Sequence, residues 1–206
     1  MSNLLVLGDI QHPRYHSVEE LSPLLNELKK TWSITILEEY EDLTEKELKN
    51  YEIIINYIDN WEEKGSKGTE EALYDYIMNG GKMLTLHNGI ILKNAATLLK
   101  MQGAIFQGHD SYQSLLFDKT EIGHEITAGL KAFSMQEEPY EFHMLSDIGK
   151  TLIITYEKDG NIYPAGWVSS VDKGKLVYFC FGHNSSSFIR DEVKELCLKA
   201  VSWLFV

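Results

Sequence analysis

Short apolar runs alternate with amphipathic segments through the first half of the chain. Leu4-Leu5-Val6-Leu7 is continuously apolar and stops at Gly8-Asp9, the pattern of a strand buried on both faces. Ser17-Val18-Glu19-Glu20 has the form of a capping box, and Leu21, Leu24, Leu25 and Leu28 follow on one face of a predicted helix. Ile34 to Leu37 reads as a second strand, and Thr44-Glu45-Lys46-Glu47 opens a short capped helix. Ile53 to Ile58 is a third strand. Thr69 opens a helix carrying Leu73, Tyr76 and Ile77, and Asn79-Gly80-Gly81 closes it with residues that tolerate a left-handed backbone. Met83 to Leu86 is a fourth strand, with a helix predicted from Ile91 to Leu99. Continuous apolar strands separated by helices predict a parallel sheet covered on both faces, and such sheets bind ligands beyond the carboxyl ends of their strands.

The second half is richer in strands: Ser114 to Phe117, Tyr140 to Leu145, Leu152 to Tyr156, Ala165 to Val168 and Lys175 to Phe181. Asp159-Gly160 is a turn between two of them, so part of this half is expected to be antiparallel. The last helix presents Val193, Leu196, Cys197, Ala200, Val201 and Leu204 to the core. Trp61 to Gly68 is polar with two glycines and predicts a mobile connection. With no Pro/Ser-rich linker, low-complexity tract or internal repeat, residues 1–206 are expected to form a single domain.

Charge removes several function classes. Nineteen Lys and Arg stand against 31 Asp and Glu, a net charge of −12, and no basic stripe is present to neutralise nucleic-acid phosphates. No segment approaches the ~18 consecutive apolar residues of a membrane span, and Met1-Ser2-Asn3 runs into the first strand without the pattern of an export signal. Cys180 and Cys197 both lie in apolar patterns and are expected to be buried free thiols. A cytoplasmic protein follows, with a homodimer as the expected assembly.

The seven histidines carry most of the candidate chemistry. His12 and His16 follow the first strand, His87 follows the fourth, and His183 follows the strand ending at Phe181 as Gly182-His183-Asn184. His109 and His124 each follow a glycine, and His143 lies inside a strand-like run. Leu86-His87-Asn88-Gly89 has the strand-turn-helix pattern that places one side chain at the top of a sheet. A histidine there can take a proton or bind a metal, or simply fill a polar turn, and a strand-end position is expected to contribute little packing. Glu137-Glu138-Pro139-Tyr140 supplies carboxylates that could orient an imidazole, bind a sugar hydroxyl or ligate a metal. Trp167 could be a sugar-stacking platform or a core residue. Phosphate-binding glycine loops, Cys-x-x-Cys, His-Glu-x-x-His and Gly-x-Ser-x-Gly are all absent.

Taken in order, several motifs resemble one family. They are the first strand followed by His12; Tyr76-Ile77-x-x-Gly80-Gly81 leading to Leu84-x-Leu86-His87; Gly108-His109; and Gly123-His124-Glu125-Ile126-Thr127-Ala128-Gly129-Leu130. Glu137-Glu138-Pro139-Tyr140, Pro164-x-x-Trp167 and the stretch from Gly174-Lys175 to Gly182-His183 complete the set. The chain resembles the ThuA-like (trehalose-utilisation) proteins of the class I glutamine amidotransferase-like superfamily. The resemblance implies a flavodoxin-like three-layer α/β sandwich, with a mostly parallel central sheet, helices on both faces and an antiparallel portion in the second half. It also implies that Glu138 is the family carboxylate. Amidotransferase relatives carry a catalytic Cys at the elbow where this chain has His87, so glutamine hydrolysis is not expected. The sequence departs from the usual His-Pro at His124-Glu125 and from Asp-Glu-x-Tyr at Glu137-Glu138-Pro139-Tyr140.

Two functions compete at this level. In the first, implied by the resemblance, the protein acts in the use of trehalose or a related disaccharide, on a keto-sugar derivative. His87, Glu138 and His183 would then be catalytic, with His12, His109, Tyr140 and Trp167 lining the substrate. A divalent metal such as zinc suits neutral imidazoles beside a carboxylate. In the second, the chain is a non-catalytic sugar-binding or regulatory module, since a shared fold does not imply activity. Convergence of His87, His109 and His183 in one cleft favours the first.

Overall fold

The strands, in chain order, are β1 (Ser2–Gly8), β2 (Trp32–Leu37), β3 (Ile53–Tyr57), β4 (Lys82–Leu86), β5 (Ala104–His109) and β6 (Gln113–Lys119). They continue with β7 (Phe133–Glu137), β8 (Tyr140–Met144), β9 (Lys150–Lys158), β10 (Asn161–Val171) and β11 (Gly174–Phe179). The α-helices are α1 (Ser22–Leu28), α2 (Glu45–Leu48), α3 (Lys67–Met78), α4 (Ala96–Gln102), α5 (Ser185–Ile189) and α6 (Asp191–Phe205). This computed structural model describes residues 2–38, 40–61, 65–91, 96–146 and 149–206. Part of the helix expected from Ile91 to Leu99 (92–95) and part of the connection Trp61 to Gly68 (62–64) lie outside the described residues.

A nine-stranded sheet runs in the order β2-β1-β3-β4-β11-β10-β9-β6-β7. The pairs from β2 through β11 are parallel, so Leu4 lies opposite Ile34 on one side and Ile53 on the other. The pairs from β11 through β7 are antiparallel. The antiparallel portion is therefore as large as the parallel one, and the sheet is evenly mixed rather than mostly parallel. β5 and β8 form a separate antiparallel pair.

Burial on both faces of the parallel strands comes from two clusters. Leu4, Val6, Ile53, Ile55 and Leu84 pack with Leu24, Leu25 and Leu28 of α1 and with Val193, Leu196 and Val201 of α6. The alternate residues Leu5, Leu7, Ile54 and Met83 pack with Leu73 and Ile77 of α3 and with Leu98 of α4. The period of two sends neighbouring residues to opposite helical layers, which is why these strands read as unbroken apolar runs.

Local signals were legible to different degrees. Thr44 and Glu47 form the expected capping box, with both reciprocal bonds made. Ser17 caps a 3-10 turn (Val18–Leu21) by accepting from the Glu19 N–H, while Glu20 turns away to accept from the Ser185 N–H at 2.6 Å. The third helix starts earlier than Thr69 because Ser66 is its N-cap, and Gly80 closes it at φ 101 as expected. Two strands escaped the pattern. β7 ends in a buried glutamate, and β5 is interrupted at Gly108, where φ is 145 and the register shifts.

Candidate functional site

Five parallel strands bring their carboxyl ends to one edge, and the order reverses there between β1 and β3. The chain leaving β4 makes a tight turn, Leu86 into the 3-10 helix His87–Ile90, with His87 at φ 43. Such a left-handed residue at a strand-helix turn is strained and holds its side chain in one direction. The turn presses on β3: Asn56 Nδ2 donates to the Gly89 carbonyl at 3.0 Å. A Cβ on Gly89 would lie 2.4 Å from the Asn56 carbonyl oxygen, a backbone atom that cannot step aside. Gly89→Ala is therefore expected to lower stability by about 1–3 kcal/mol, the usual cost of overpacking, read as a shift of the urea midpoint.

His87 is fully buried. Its Nδ1 lies 2.6 Å from the Cys180 carbonyl, to which it donates, so in the neutral ring Nε2 carries the lone pair. Nε2 is 3.0 Å from the Tyr140 hydroxyl, which donates to it, and 3.3 Å from Glu138 Oε2. His16 packs edge-on to His87 at 4.8 Å between ring centroids, and its Nδ1 donates to the His183 carbonyl at 3.0 Å. His183 Nδ1 is buried 3.3 Å from Glu138 Oε2, close enough for strong attraction, yet its geometry is not that of a hydrogen bond and its capacity is unfilled.

Protonation follows from these contacts. Burial, reinforced by His87 and His183, pushes His16 down to about 3, so it is neutral near neutral pH. Burial works to raise Glu138, but contacts with His183 and His87 outweigh it and hold the carboxyl well below the usual range. The Glu138 carboxylate in turn raises His183 against the effect of burial. A neutral His16 imidazole beside the ionised Glu138 carboxylate supplies a lone pair and a negative charge that suit a cation.

Glu137 positions this constellation from behind. Its fully buried carboxylate accepts from the Gly182 N–H at 2.7 Å, the Ser187 hydroxyl at 2.8 Å and the Glu138 N–H at 3.0 Å. The His183 N–H is also directed at it. One carboxylate thus anchors both the His183 loop and the Glu138 turn.

The cluster opens into a cavity of about 540 Å³ whose lining includes Tyr15, Asp59, Asn88, Phe106, His109 and Tyr140. Asp59 Oδ1 and Asn88 Oδ1 are buried without a hydrogen-bond partner. Burial raises the Asp59 carboxyl, against backbone N–H groups of Tyr15, His16 and Arg14 that lower it.

The structure brings together His87, Glu138, His183, His109 and Tyr140 of the sequence-predicted site; His109 Nδ1 is 3.7 Å from Glu138 Oε1. It separates two others. His12 is exposed and lines a different cavity with Glu38 and Glu41, because the chain after β1 turns back and delivers His16 instead. Trp167 is a core residue, 1 % exposed, with its ring tilted against Tyr178 at 4.4 Å between centroids and its indole N–H donating to the Gln102 carbonyl at 2.7 Å. His16, Asp59 and Asn88 were not singled out as site residues. His87 is also more than a strand-end polar group, since Tyr140 stacks on it at 4.3 Å.

Ligand atoms of His16, His87, Glu138 and His183 all lie within 4.8 Å of one another. The fit to a divalent cation rests on three features of these residues. The Nδ1 atoms of His16 and His87 are tied to backbone carbonyls, the outer support typical of metal-binding imidazoles. His183 Nδ1 has unfilled capacity. Three imidazoles with one carboxylate match the preference of zinc.

The family model described as ThuA, trehalose utilisation, matches residues 3–204. No curated protein matches the chain in sequence. Among solved structures, a ThuA-like protein from Bacteroides uniformis is similar at 19 % identity and TM-score 0.82, over 98 % of this chain and 91 % of that one. A ThuA-like protein from Parabacteroides merdae is similar at 13 % identity and TM-score 0.75, over 100 % and 90 %. A protein from Salmonella typhimurium described as cytoplasmic is similar at 15 % identity and TM-score 0.69, over 97 % and 98 %. Among the described residues, no helix is long and apolar enough to cross a membrane.

Proposed function

We propose, for a chain that belongs to the ThuA family of trehalose utilisation, that the cleft beyond β4 and β11 binds a sugar derivative bearing a carbonyl group and acts on it with a bound divalent cation, zinc by its donor set. The observation that carries this reading is the convergence of His16, His87, Glu138 and His183 ligand atoms within 4.8 Å of one another, with His16, Glu138 and His183 lining a single cavity.

A bound cation supplies Lewis acidity toward the carbonyl oxygen. The remaining work falls to the chain. Tyr140 presents a hydroxyl at the cluster, where it can donate to an oxygen that gains charge. His109 stands on the same wall with Nδ1 engaged by the Asp110 carbonyl at 2.9 Å, leaving Nε2 to take a proton from the carbon beside the carbonyl. Tyr15 and Phe106 replace Trp167 as the ring faces against which a sugar can lie.

The test is proton exchange. Protein loaded with zinc, given a keto-disaccharide in D2O, is expected to exchange the proton next to the carbonyl, read by NMR, while metal-free protein does not. Binding without exchange would instead support the non-catalytic sugar-binding module.

The thiols are unsuited to amidotransferase chemistry. Cys180 and Cys197 are fully buried, and burial raises both well above the ordinary thiol range. No ammonia is expected from glutamine with purified protein, measured by a coupled ammonia assay.

A further inference from the structure

The cavity wall that carries His109 is a two-stranded sheet of its own, β5 with β8, and its Phe106, His109 and Tyr140 line the cavity. Two strands alone do not hold a fixed position in water, so packing and side-chain ties to the main sheet must set it. β9 of the main sheet supplies two such ties. Tyr156 and Lys158 lie two residues apart on its buried face, with Glu157 exposed between them. The Tyr156 hydroxyl donates to the Tyr140 carbonyl at 2.9 Å. The Lys158 ammonium donates to Asp110 Oδ2 at 2.6 Å and to Glu141 Oε1 at 2.9 Å. One carboxylate comes from β8 and the other directly follows β5, so a single lysine grips both strands of the wall.

Burial singles Lys158 out. Its side chain is 8 % exposed, while those of Asp110 and Glu141 are 66 % and 45 % exposed. A buried ammonium is costly unless paired, whereas carboxylates this exposed are hydrated with or without it. The two contacts raise Lys158 above the ordinary lysine range, so it stays ionised. What it holds bears on the site, because the main-chain carbonyl of Asp110 accepts from His109 Nδ1 at 2.9 Å. The β5–β8 ladder does little to fix this point: Gly108, immediately before His109, sits at φ 145 where the register shifts. We infer that Lys158 is a positioning residue for His109. By holding Asp110 it keeps the His109 Nδ1–H on the main-chain carbonyl and leaves the Nε2 lone pair free to act as a base. The catalytic half of this rests on the reading that His109 takes the substrate proton; the tie from Lys158 to the ring does not.

Lys158→Met removes the charge and keeps an apolar stem of similar length beside the Tyr163 ring. The first readout is the His109 ring itself, by 15N NMR of metal-free protein at about pH 9, above the ordinary histidine range. Wild type is expected to show the Nδ1–H tautomer. Lys158→Met is expected to move the ring signals toward the Nε2–H form that free imidazoles favour in water, while Lys158→Arg, which keeps the charge, stays with wild type. Asp110→Ala cuts the same tie at an exposed side chain and is expected to shift the ring likewise. The second readout is proton exchange from a keto-disaccharide in D2O by zinc-loaded protein. Lys158→Met is expected to lower the saturating exchange rate by about 10- to 100-fold, the scale of a misplaced catalytic group. Zinc affinity and the half-saturating sugar concentration are expected to change by less than about 3-fold, as for an uncoupled site. In a His109→Gln background, Lys158→Met is expected to cost nothing further, because a residue that acts through His109 has nothing left to position. The inference is overturned if wild type shows the Nε2–H form, or if folded Lys158→Met keeps the wild-type His109 signals. It is equally overturned if Asp110→Ala keeps them where Lys158→Met does not fold, or if Lys158→Met slows exchange as much in the His109→Gln background. Zinc-loaded wild type that exchanges no proton defeats the His109 reading instead, and the ring signals still decide the tie.

Discussion

His87→Gln is expected to cut zinc affinity by at least ~100-fold, since loss of a ligand exceeds the 10- to 100-fold cost of losing one of its supporting partners. Gln keeps a polar side chain of similar reach but not the imidazole lone pair that the Cys180 carbonyl orients toward Glu138 and Tyr140. Competition with a chromogenic chelator measures the change. The alanine variant is less informative than the strand-end position suggested. His87 is fully buried, stacked with Tyr140 and bonded to Cys180, so His87→Ala removes packing as well as a ligand. Its stability is expected to drop by about 2–4 kcal/mol, in the range of large-to-small core substitutions. Comparing the two variants separates the ligand's contribution from the packing contribution.

Glu137→Ala should be the most destabilising single change near the site. The carboxylate is the shared acceptor for Gly182, Ser187 and Glu138, and all three donors would be left without it in a buried position. Each orphaned donor costs about 1–3 kcal/mol where water cannot replace the partner, and partial relaxation brings the expected total to about 3–5 kcal/mol. Urea unfolding at neutral pH measures it. Glu137→Gln keeps one acceptor oxygen and should lose less. Because Gly182 and Ser187 flank His183, either change should also loosen the His183 end of the cluster and weaken zinc binding, although Glu137 is a positioning residue that touches no ligand atom in the set. A loss of zinc affinity in Glu137→Gln larger than its loss of stability can explain would be the mark of that role.

The parallel half of the fold could be read directly from the chain, because unbroken runs such as Leu4 to Leu7 and Ile53 to Ile58 are what burial on two faces demands. β7 carries a readable signal in its alternation. Phe133, Met135 and Glu137 alternate with Ser134 and Gln136, which places Glu137 on the inward register and marks it as a buried carboxylate. β5 had no such clarity, since Gly108 breaks its alternation. In the site, His87 was legible from the strand-turn-helix pattern. Glu138 came from the resemblance to a family, which its place beside His87 and His183 supports. The choice between His12 and His16 was not legible. It depends on the Tyr15 N–H reaching Asp59 and on His16 reaching the His183 carbonyl, a partner 167 positions away. Trp167 misled because its family motif carries no sign of burial, whereas its pairing with Tyr178 in β11 sets it under β8 against Phe142. Asp59 and Asn88 had no local pattern, and only their place in the cavity lining marks them.

The central claim is a divalent cation held by three histidines and one glutamate. A crystal of the protein grown with zinc, with diffraction data collected on both sides of the zinc absorption edge, addresses it most directly. The account predicts one anomalous peak per chain, within about 2.0–2.3 Å of nitrogen atoms of His16, His87 and His183 and an oxygen of Glu138. An empty cluster, or a peak held elsewhere by other residues, would contradict it.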